Sequence, residues 1–360
     1  MSFSVAIVGL PNVGKSTLFN ALLQKQAALA ANYPFATIEP NVGVVPVPDN
    51  NLIKLAEIVN TNRIIPSTVE FVDIAGLVKG ASTGAGLGNK FLANVRETSI
   101  IAHVIRLFND DNIIKEGSVD PVEDYQTIEL ELQLADLATL EKQTEPKGKK
   151  MPLEILRWQI IERWRTALNN GYSLRKVIDT DEELTLAKEL SLLTAKAEIV
   201  VANVGDVDLT QAQEIKKNLA AQLNISPDKI IIISAKLEEE LSSLSSNEKI
   251  EFLAEYGQSD VGLDAFIKLA YRTLKLQSFY TAGEKEVKAW TIPVGTTAQQ
   301  AAGVIHTDFA KHFINAQVVD LNDFLSYKGW KTTKENGKVR QEGRDYQMQE
   351  NDVVEFMVGK

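Results

Sequence analysis

Residues Gly9 to Ser16 read Gly-Leu-Pro-Asn-Val-Gly-Lys-Ser and follow directly on the apolar run Val5-Ala6-Ile7-Val8. A short apolar run, a glycine-bearing loop and then helix formers, here Leu18-Phe19-Asn20-Ala21-Leu22-Leu23, predict a buried parallel strand feeding a loop and a helix. The glycines let successive backbone N–H groups turn inward around a di- or triphosphate. The helix that starts near Lys15 aims its positive N-terminal end at the same charge. Asn12, Val13, Gly14, Lys15, Ser16 and Thr17 are therefore the expected phosphate cradle, with Lys15 reaching the β and γ phosphates and Ser16 a magnesium ion.

At 360 residues the chain is long enough for about two domains, and its 44% hydrophobic share suits ordinary globular cores. A strand beginning almost at Met1 leaves no room for a cleavable signal, and no apolar run is long enough to span a bilayer. A soluble cytoplasmic protein with no membrane partner is the expectation. The absence of cysteine excludes disulfides, thiolate metal sites and thiol nucleophiles. A net charge of -10 argues against a protein that coats nucleic acid with its entire surface, and leaves room for a local basic face.

Further β-branched runs, Val69 to Val72, Ile100 to Leu107, Ile199 to Ala202 and Ile230 to Ile233, alternate with helical stretches. This order predicts an α/β fold, a mostly parallel sheet with helices on both faces. Between residues 126 and 196 the alternation stops. Leu130, Leu134 and Leu137 keep a helical spacing, and Ile155, Trp158, Ile161, Arg165 and Leu168 resume it after a break at Pro146-Lys147-Gly148. A helical hairpin inserted into the nucleotide domain is expected. Its basic tip, Lys147-Gly148-Lys149-Lys150, reads either as a solvated loop or as a phosphate contact with nucleic acid.

From residue 278 the pattern changes to shorter strands, Val287 to Ile292, Gln317 to Val319, Gln347-Met348 and Val353 to Val358, with one helix expected over Ala298 to Phe313. The expected organisation is a nucleotide domain over 1–277 and a small α+β module over 278–360. Tyr327, Lys328, Trp330, Lys331, Lys334, Lys338, Arg340 and Arg344 interleave aromatics with bases about an expected hairpin at Glu335-Asn336-Gly337. Two readings stand for this surface: contact with RNA by stacking and phosphate pairing, or an edge hairpin kept soluble by lysine.

Other parts of a nucleotide hydrolase stand at the right places. Asp73-Ile74-Ala75-Gly76 follows its strand directly, so Asp73 is expected to orient magnesium and the Gly76 N–H to sense the γ-phosphate. Thr37, in the loop Tyr33 to Thr37, could complete the metal shell when a triphosphate is present, and its release would be a switch. Gly80 to Gly88 is too glycine-rich for regular structure and reads as a second switch. Asn203-Val204-Gly205-Asp206 and Ser234-Ala235-Lys236 end two strands where a guanine-nucleotide protein holds its base. In the usual Asn-Lys-x-Asp order the Asp accepts from guanine and the Lys packs along the ring; here Val204 stands at the lysine's place. His103 lies in an apolar strand and reads as a satisfied core residue, while His306 and His312 flank a helix and pack or cap.

Taken together, Gly9 to Thr17, Asn32 to Pro40, Gly80 to Gly88, Ser234 to Glu240, Ala301 to Phe309 and Gly337 to Tyr346 resemble the YchF subfamily of Obg-like P-loop ATPases, over nearly the full length. The resemblance implies a Ras-like P-loop domain, a coiled-coil insertion, and a C-terminal TGS domain of β-grasp fold. It also implies ATP preferred over GTP, and the ribosome, as large subunit or whole particle, for a partner. One departure bears on the base: many relatives carry Glu where Asp206 stands, and Asp206 lies closer to guanine-reading geometry. A guanine-specific GTPase in ribosome assembly, or a binding protein with incidental hydrolysis, are the alternatives. Leu77 occupies the position at which Ras-like proteins hold the attacking water with Gln, so slow intrinsic turnover is expected, aided by Lys15, magnesium and loop N–H groups. In related proteins an Asn at the place of Asn12 helps bind potassium, which gives Asn12 a catalytic reading beside that of a plain loop residue. Lys115, where some relatives carry His, is assigned no catalysis.

Overall fold

The computed structural model describes residues 3–30, 41–74, 87–108, 120–146, 151–241, 244, 248 and 262–359. Thr37, Gly76, Leu77, Lys115 and the tip Lys147 to Lys150 lie outside the described residues. The chain forms two compact units, Met1–Val44 with Glu70–Phe266, and Val45–Val69 with Ile267–Lys360.

The first unit is built on β1 (Ser4–Val8), β2 (Val42–Pro46), β4 (Thr68–Asp73), β5 (Ile100–Arg106), β6 (Glu198–Asn203) and β7 (Ile230–Ile233), ordered β2-β4-β1-β5-β6-β7. The ladders β4–β1, β1–β5, β5–β6 and β6–β7 are parallel. Every residue of β1, β5 and β6 is buried, which explains why these strands read as unbroken apolar runs rather than as alternation. The helices of this unit are α1 (Lys15–Ala30), α3 (Leu87–Glu97), α4 (Pro121–Glu141), α5 (Pro152–Asn169), α6 (Asp181–Glu189), α7 (Ala212–Leu223) and α8 (Ala235–Leu241), and α9 (Gly262–Thr273) begins in it. Leu87 and Gly88, expected to be irregular, open α3 instead.

Helix α4 starts where Asp120 accepts from Val122 N at 2.8 Å and Pro121 takes the first helical position, where a missing N–H costs nothing. Together α4, α5 and α6 enclose a core of their own, with Leu140, Ile161, Trp164, Leu168, Leu174 and Leu186 buried together. The expected stripe on α5 is only half right. Ile161 and Leu168 are buried, but Ile155 is exposed, and the fully buried Trp164 is the central side chain.

The second unit is a six-stranded sheet ordered β11-β10-β12-β8-β9-β3, from β3 (Ile64–Ile65), β8 (Leu276–Ala282), β9 (Val287–Pro293), β10 (Phe313–Asp320), β11 (Arg340–Glu342) and β12 (Asp352–Val358). On one face α10 (Ala298–Ile305) packs Ala298, Ala301 and Ala302 against Phe279, Phe313 and Val318. On the other, α2 (Asn51–Val59) and α12 (Leu321–Ser326) pack Leu52, Leu55, Leu321 and Phe324 against Tyr280, Val287 and Val353. Residues from near the start of the chain thus cover half of a C-terminal sheet, and β3 extends it in parallel with β9. The sheet needs this cover because β8 buries both faces, with Phe279 at 0% and Tyr280 at 2% exposure.

Three expectations for this unit are corrected. The single helix over Ala298 to Phe313 is two, α10 and α11 (Thr307–Lys311), broken at His306, whose backbone is extended and whose Nδ1 accepts from Asp308 N at 3.2 Å. A local side-chain cap outcompetes helix continuation there, and Phe313 already belongs to β10. The hairpin about Glu335-Asn336-Gly337 is instead the end of α13 (Trp330–Glu335), with Gly337 at φ 68° taking the left-handed turn that leads toward β11. Gln347 makes an isolated bridge to Thr297 rather than a strand. Trp330 turns inward, its Nε1 donating to Ala282 O at 3.1 Å and its ring edge-on to Phe324. Lys338 faces Asp323, and Arg340 faces Glu342 and Asp352, so part of the aromatic and basic set is spent within the fold.

Leu55 is fully buried in the α2 layer. Leu55→Ala is expected to cost about 2–5 kcal/mol and, in denaturant unfolding followed by the fluorescence of Trp290 and Trp330, to shift the transition of the C-terminal sheet although residue 55 is far from it in sequence.

Candidate functional site

The phosphate loop hangs between β1 and α1. Its backbone needs two left-handed residues, Asn12 at φ 61° and Gly14 at φ 95°. Asn tolerates that region better than most residues, and at Gly14 only glycine fits, because a Cβ there would collide with Asn203 Nδ2. Gly14 O accepts from Leu18 N at 3.0 Å as the helix begins, so Lys15 and Ser16 occupy the first turn with the helix N-terminus behind them. Lys15 is buried, and its Nζ donates to Leu10 O at 2.8 Å across the loop.

Register places the carboxylate. Asp73 is paired with Ile7 across the β1–β4 ladder, at the end of β4, and it sits in the field of Lys15. Burial lowers the Lys15 ammonium to about 8 against the pull of Asp73, and burial raises Asp73 against the pull of Lys15. Asp73 Oδ1 is buried with no hydrogen-bond partner among the described residues. A carboxylate held this way is suited to a hydrated dication, which would satisfy the orphaned oxygen and offset the burial.

Asn203 joins the two halves of the site. From the end of β6 its Nδ2 donates to Val13 O at 3.0 Å and its Oδ1 accepts from Ala235 N at 2.9 Å. One buried carboxamide therefore fixes the phosphate loop against the loop after β7. Ser234 Oγ donates to Asp206 Oδ1 at 2.5 Å, which holds the carboxylate at the mouth of the same loop pair. Lys236 is exposed beside them. Val204 does not join the set through its side chain, which is 2% exposed and packed among Leu209, Leu219 and Leu237. The structure thus gathers Asn12 to Ser16, Asp73, Asn203, Asp206, Ser234 and Ala235 around one sheet edge, the place where open α/β sheets bind ligands.

A second constellation was not legible in the sequence. His103 is buried in β5, but the expectation of a hydrogen-bonded core histidine is corrected: neither ring nitrogen has a hydrogen-bond partner among the described residues. Its Nε2 lies 3.3 Å from Glu129 Oε1 and 3.7 Å from Glu198 Oε2, a group with the spacing of metal ligands. Arg175 Nη1, however, stands 2.8 Å from both Glu129 Oε2 and Glu198 Oε2, and Tyr125 and Ser173 donate to the same two carboxylates. The guanidinium already supplies the positive charge a metal would bring, and burial holds the imidazole below its ordinary pKa. This is a buried ionic joint between the sheet and the inserted helices. The only hint of it in the sequence is a titratable residue inside an apolar strand.

Comparison with known proteins bears on both halves of the chain. A family profile described as a 50S ribosome-binding GTPase matches residues 4–156, and one for the C-terminal part of YchF GTPases, described as of unknown function, matches residues 276–359. The chain is 47% identical over 365 residues to the ribosome-binding ATPase YchF of Haemophilus ducreyi, with 99% of each chain covered. It is 45% identical over 366 residues to the protein of that name from Bacillus subtilis, again covering 99% of each. Among solved structures it is similar to the Schizosaccharomyces pombe YchF GTPase, with a TM-score of 0.87 at 36% identity, covering 98% of this chain and 97% of that one.

Asn203→Ala removes an acceptor for Ala235 N and a donor to Val13 O, each worth about 1–3 kcal/mol when left unpaired in a buried site. The expected outcome is a lower melting temperature and nucleotide affinity reduced by about tenfold or more, read by calorimetric titration with a non-hydrolysable triphosphate.

Proposed function

The chain belongs to the YchF family of P-loop nucleotide hydrolases, and on that premise we propose that it is a magnesium-dependent ATPase whose nucleotide cycle gates binding to the ribosome. The observation that carries the reading is the Asn203 carboxamide, which assembles the phosphate loop and the base loop into one site with Lys15 and Asp73 on the phosphate side. The ribosome enters through the relatives' printed names. Its contacts are assigned to the insertion tip, Lys149 and Lys150, and to the exposed bases Lys331, Lys334 and Arg344. The domains are taken as 1–277 for nucleotide, 126–196 for the coiled-coil insertion within it, and 278–360 for a TGS module of β-grasp type. No described helix is long and apolar enough to cross a membrane, and a cytoplasmic site of action accords with the ribosomal partner.

Ser16, Asp73 and Thr37 would hold magnesium, which when bound would supply positive charge to offset that of the phosphates. The Lys15 ammonium lies at the loop, donating to Leu10 O. Phosphate oxygens are a stronger, charged acceptor for it, and its contact with the β and γ oxygens would stabilise the charge that develops as the bond to the leaving oxygen loosens. Loop N–H groups from Val13 to Ser16 and the start of α1 add fixed positive ends of dipoles. The Gly76 N–H is assigned to the γ-phosphate, and Asn12 to a potassium ion that would supplement Lys15. An apolar Leu77 cannot hold the attacking water, which keeps intrinsic turnover slow.

Base selection rests on Asp206, Ser234, Ala235 and Lys236. ATP preference is favoured by the replacement of the guanine motif's lysine by Val204, which is turned into the core. A second reading, a guanine-preferring enzyme, is favoured by Asp206 itself, which Ser234 orients at 2.5 Å.

Paired calorimetric titrations of the magnesium-loaded protein with non-hydrolysable ATP and GTP analogues separate the two. Tighter ATP binding by about tenfold, or about 1.4 kcal/mol, is expected, and tighter GTP binding would make the guanine reading the lead. Lys15→Met is expected to lower turnover by about a hundredfold or more with the fold intact by circular dichroism. Addition of ribosomes is expected to raise the wild-type rate; ribosome binding that depends on nucleotide with no rate increase would point to a switch in which hydrolysis is incidental.

A further inference from the structure

One buried acid beside the base loop is unused in this scheme. Glu238 sits in α8, one helical turn beyond Ser234, and is 5% exposed. Its N–H donates to Ser234 O at 3.0 Å, and Leu237 N donates to Ser234 Oγ at 3.3 Å, so Ser234 starts the helix that carries Glu238. At the other end of the side chain, Oε1 accepts from Leu263 N at 3.1 Å and from the backbone of Gly262. A side chain of α8 thereby caps the N-terminus of α9, where uncapped N–H groups would otherwise be buried.

The joint is close-packed. A Cβ at Gly262 would come within 2.9 Å of Ile233 Cγ1 and 3.0 Å of Glu238 Oε1, so α9 has no room to slide on α8. Glu238 Oε2 is buried and has no hydrogen-bond partner among the described residues. On the same first turn of α9, Asp264 pairs with Lys25 of α1, the helix that carries the phosphate loop. The helix leaving the phosphate loop and the helix leaving the base loop are both pinned to one helix start.

We propose that Glu238 is a positioning residue of the base-binding loop: by docking α8 on α9 it fixes Ser234 to Lys236, and through Ser234 the Asp206 carboxylate, for the base of a bound nucleoside triphosphate. The inference rests on the nucleotide-binding reading above and adds a residue that touches neither phosphate nor base. It also gives base recognition a pH dependence. Burial pushes the Glu238 carboxyl up to about 7, with Asp264 of α9 adding to the shift and Lys25 of α1 opposing it. Because this value lies above the ordinary carboxyl range, the docked joint is strongest with the proton on and weakens as pH rises through about 7, where ionisation favours exposure of the carboxylate.

The test compares a magnesium-loaded non-hydrolysable ATP analogue with magnesium tripolyphosphate, which has the phosphates and no base. Affinity of wild type, Glu238→Gln and Glu238→Ala for each is measured between about pH 6 and about pH 8.5. For wild type the advantage of the nucleotide over tripolyphosphate is expected to shrink several-fold over this range. Glu238→Gln, which keeps the acceptor and cannot ionise, is expected to hold that advantage constant. Glu238→Ala is expected to lose it by about fivefold or more at the acid end, about 1 kcal/mol, while tripolyphosphate binds as before. Equal weakening of both ligands in Glu238→Ala, or a Glu238→Gln profile that follows wild type, overturns the inference while the nucleotide reading stands. Wild type that binds neither ligand overturns both. Should Glu238→Ala fail to fold by circular dichroism, the comparison of Glu238→Gln with wild type decides alone.

Discussion

The candidate nucleotide site depends on one buried side chain amide. Asn203 has a donor and an acceptor on opposite corners of a rigid plane, and each meets a backbone group of a different loop, Val13 O and Ala235 N. The loops lie 190 and 32 residues away in sequence. No residue with only a donor or only an acceptor can make this bridge, and the glycine at position 14 is required for the amide to come so close. Lys15 and Asp73 are then aimed at one point by the geometry of a loop, a strand end and a helix start.

Buried charge is handled in two opposite ways within the first unit. At the candidate nucleotide site Lys15 and Asp73 are both pulled toward neutrality by burial, and Asp73 keeps an oxygen without a partner among the described residues. Such an arrangement is suited to a charged ligand from outside. At the joint of His103, Glu129, Glu198 and Arg175 the guanidinium closes the circuit from within, which suits a structural role fastening the inserted helices to β5 and β6. The same residue types thus suit a binding site in one place and a fastening in the other, according to whether the protein supplies its own counter-charge.

The parallel sheet was readable because β1, β5 and β6 are buried on both faces and appear as continuous apolar runs, and because the loops of the candidate site directly follow strands. The α4–α5 hairpin was readable from helical spacing broken by proline and glycine, yet its core residue Trp164 was not, since charged neighbours dilute the stripe around it. His306 and Gly337 misled for local reasons. A side chain that caps its own successor ended a helix within an apolar stretch, and a left-handed glycine served a helix end where a hairpin turn was expected. Trp330 read as a surface aromatic because a six-residue helix turned it toward Phe324.

The sequence by itself determined the loop between β1 and α1, the carboxylate at the end of β4, the positions of the segments after β6 and β7, and the family, since each depends on residues adjacent in the chain and on a spacing that local backbone geometry enforces. Tertiary structure alone decided that Val204 faces the core, that residues 51–65 cover and extend the C-terminal sheet, and that Arg175 meets Glu129 and Glu198. It alone decided, too, that Glu238 caps a helix 24 residues farther on. Those contacts join segments distant in sequence. All of them form where two segments lose water at once, which favours the apolar contacts and makes the pairing of the polar groups obligatory, a condition that no single stretch of chain records.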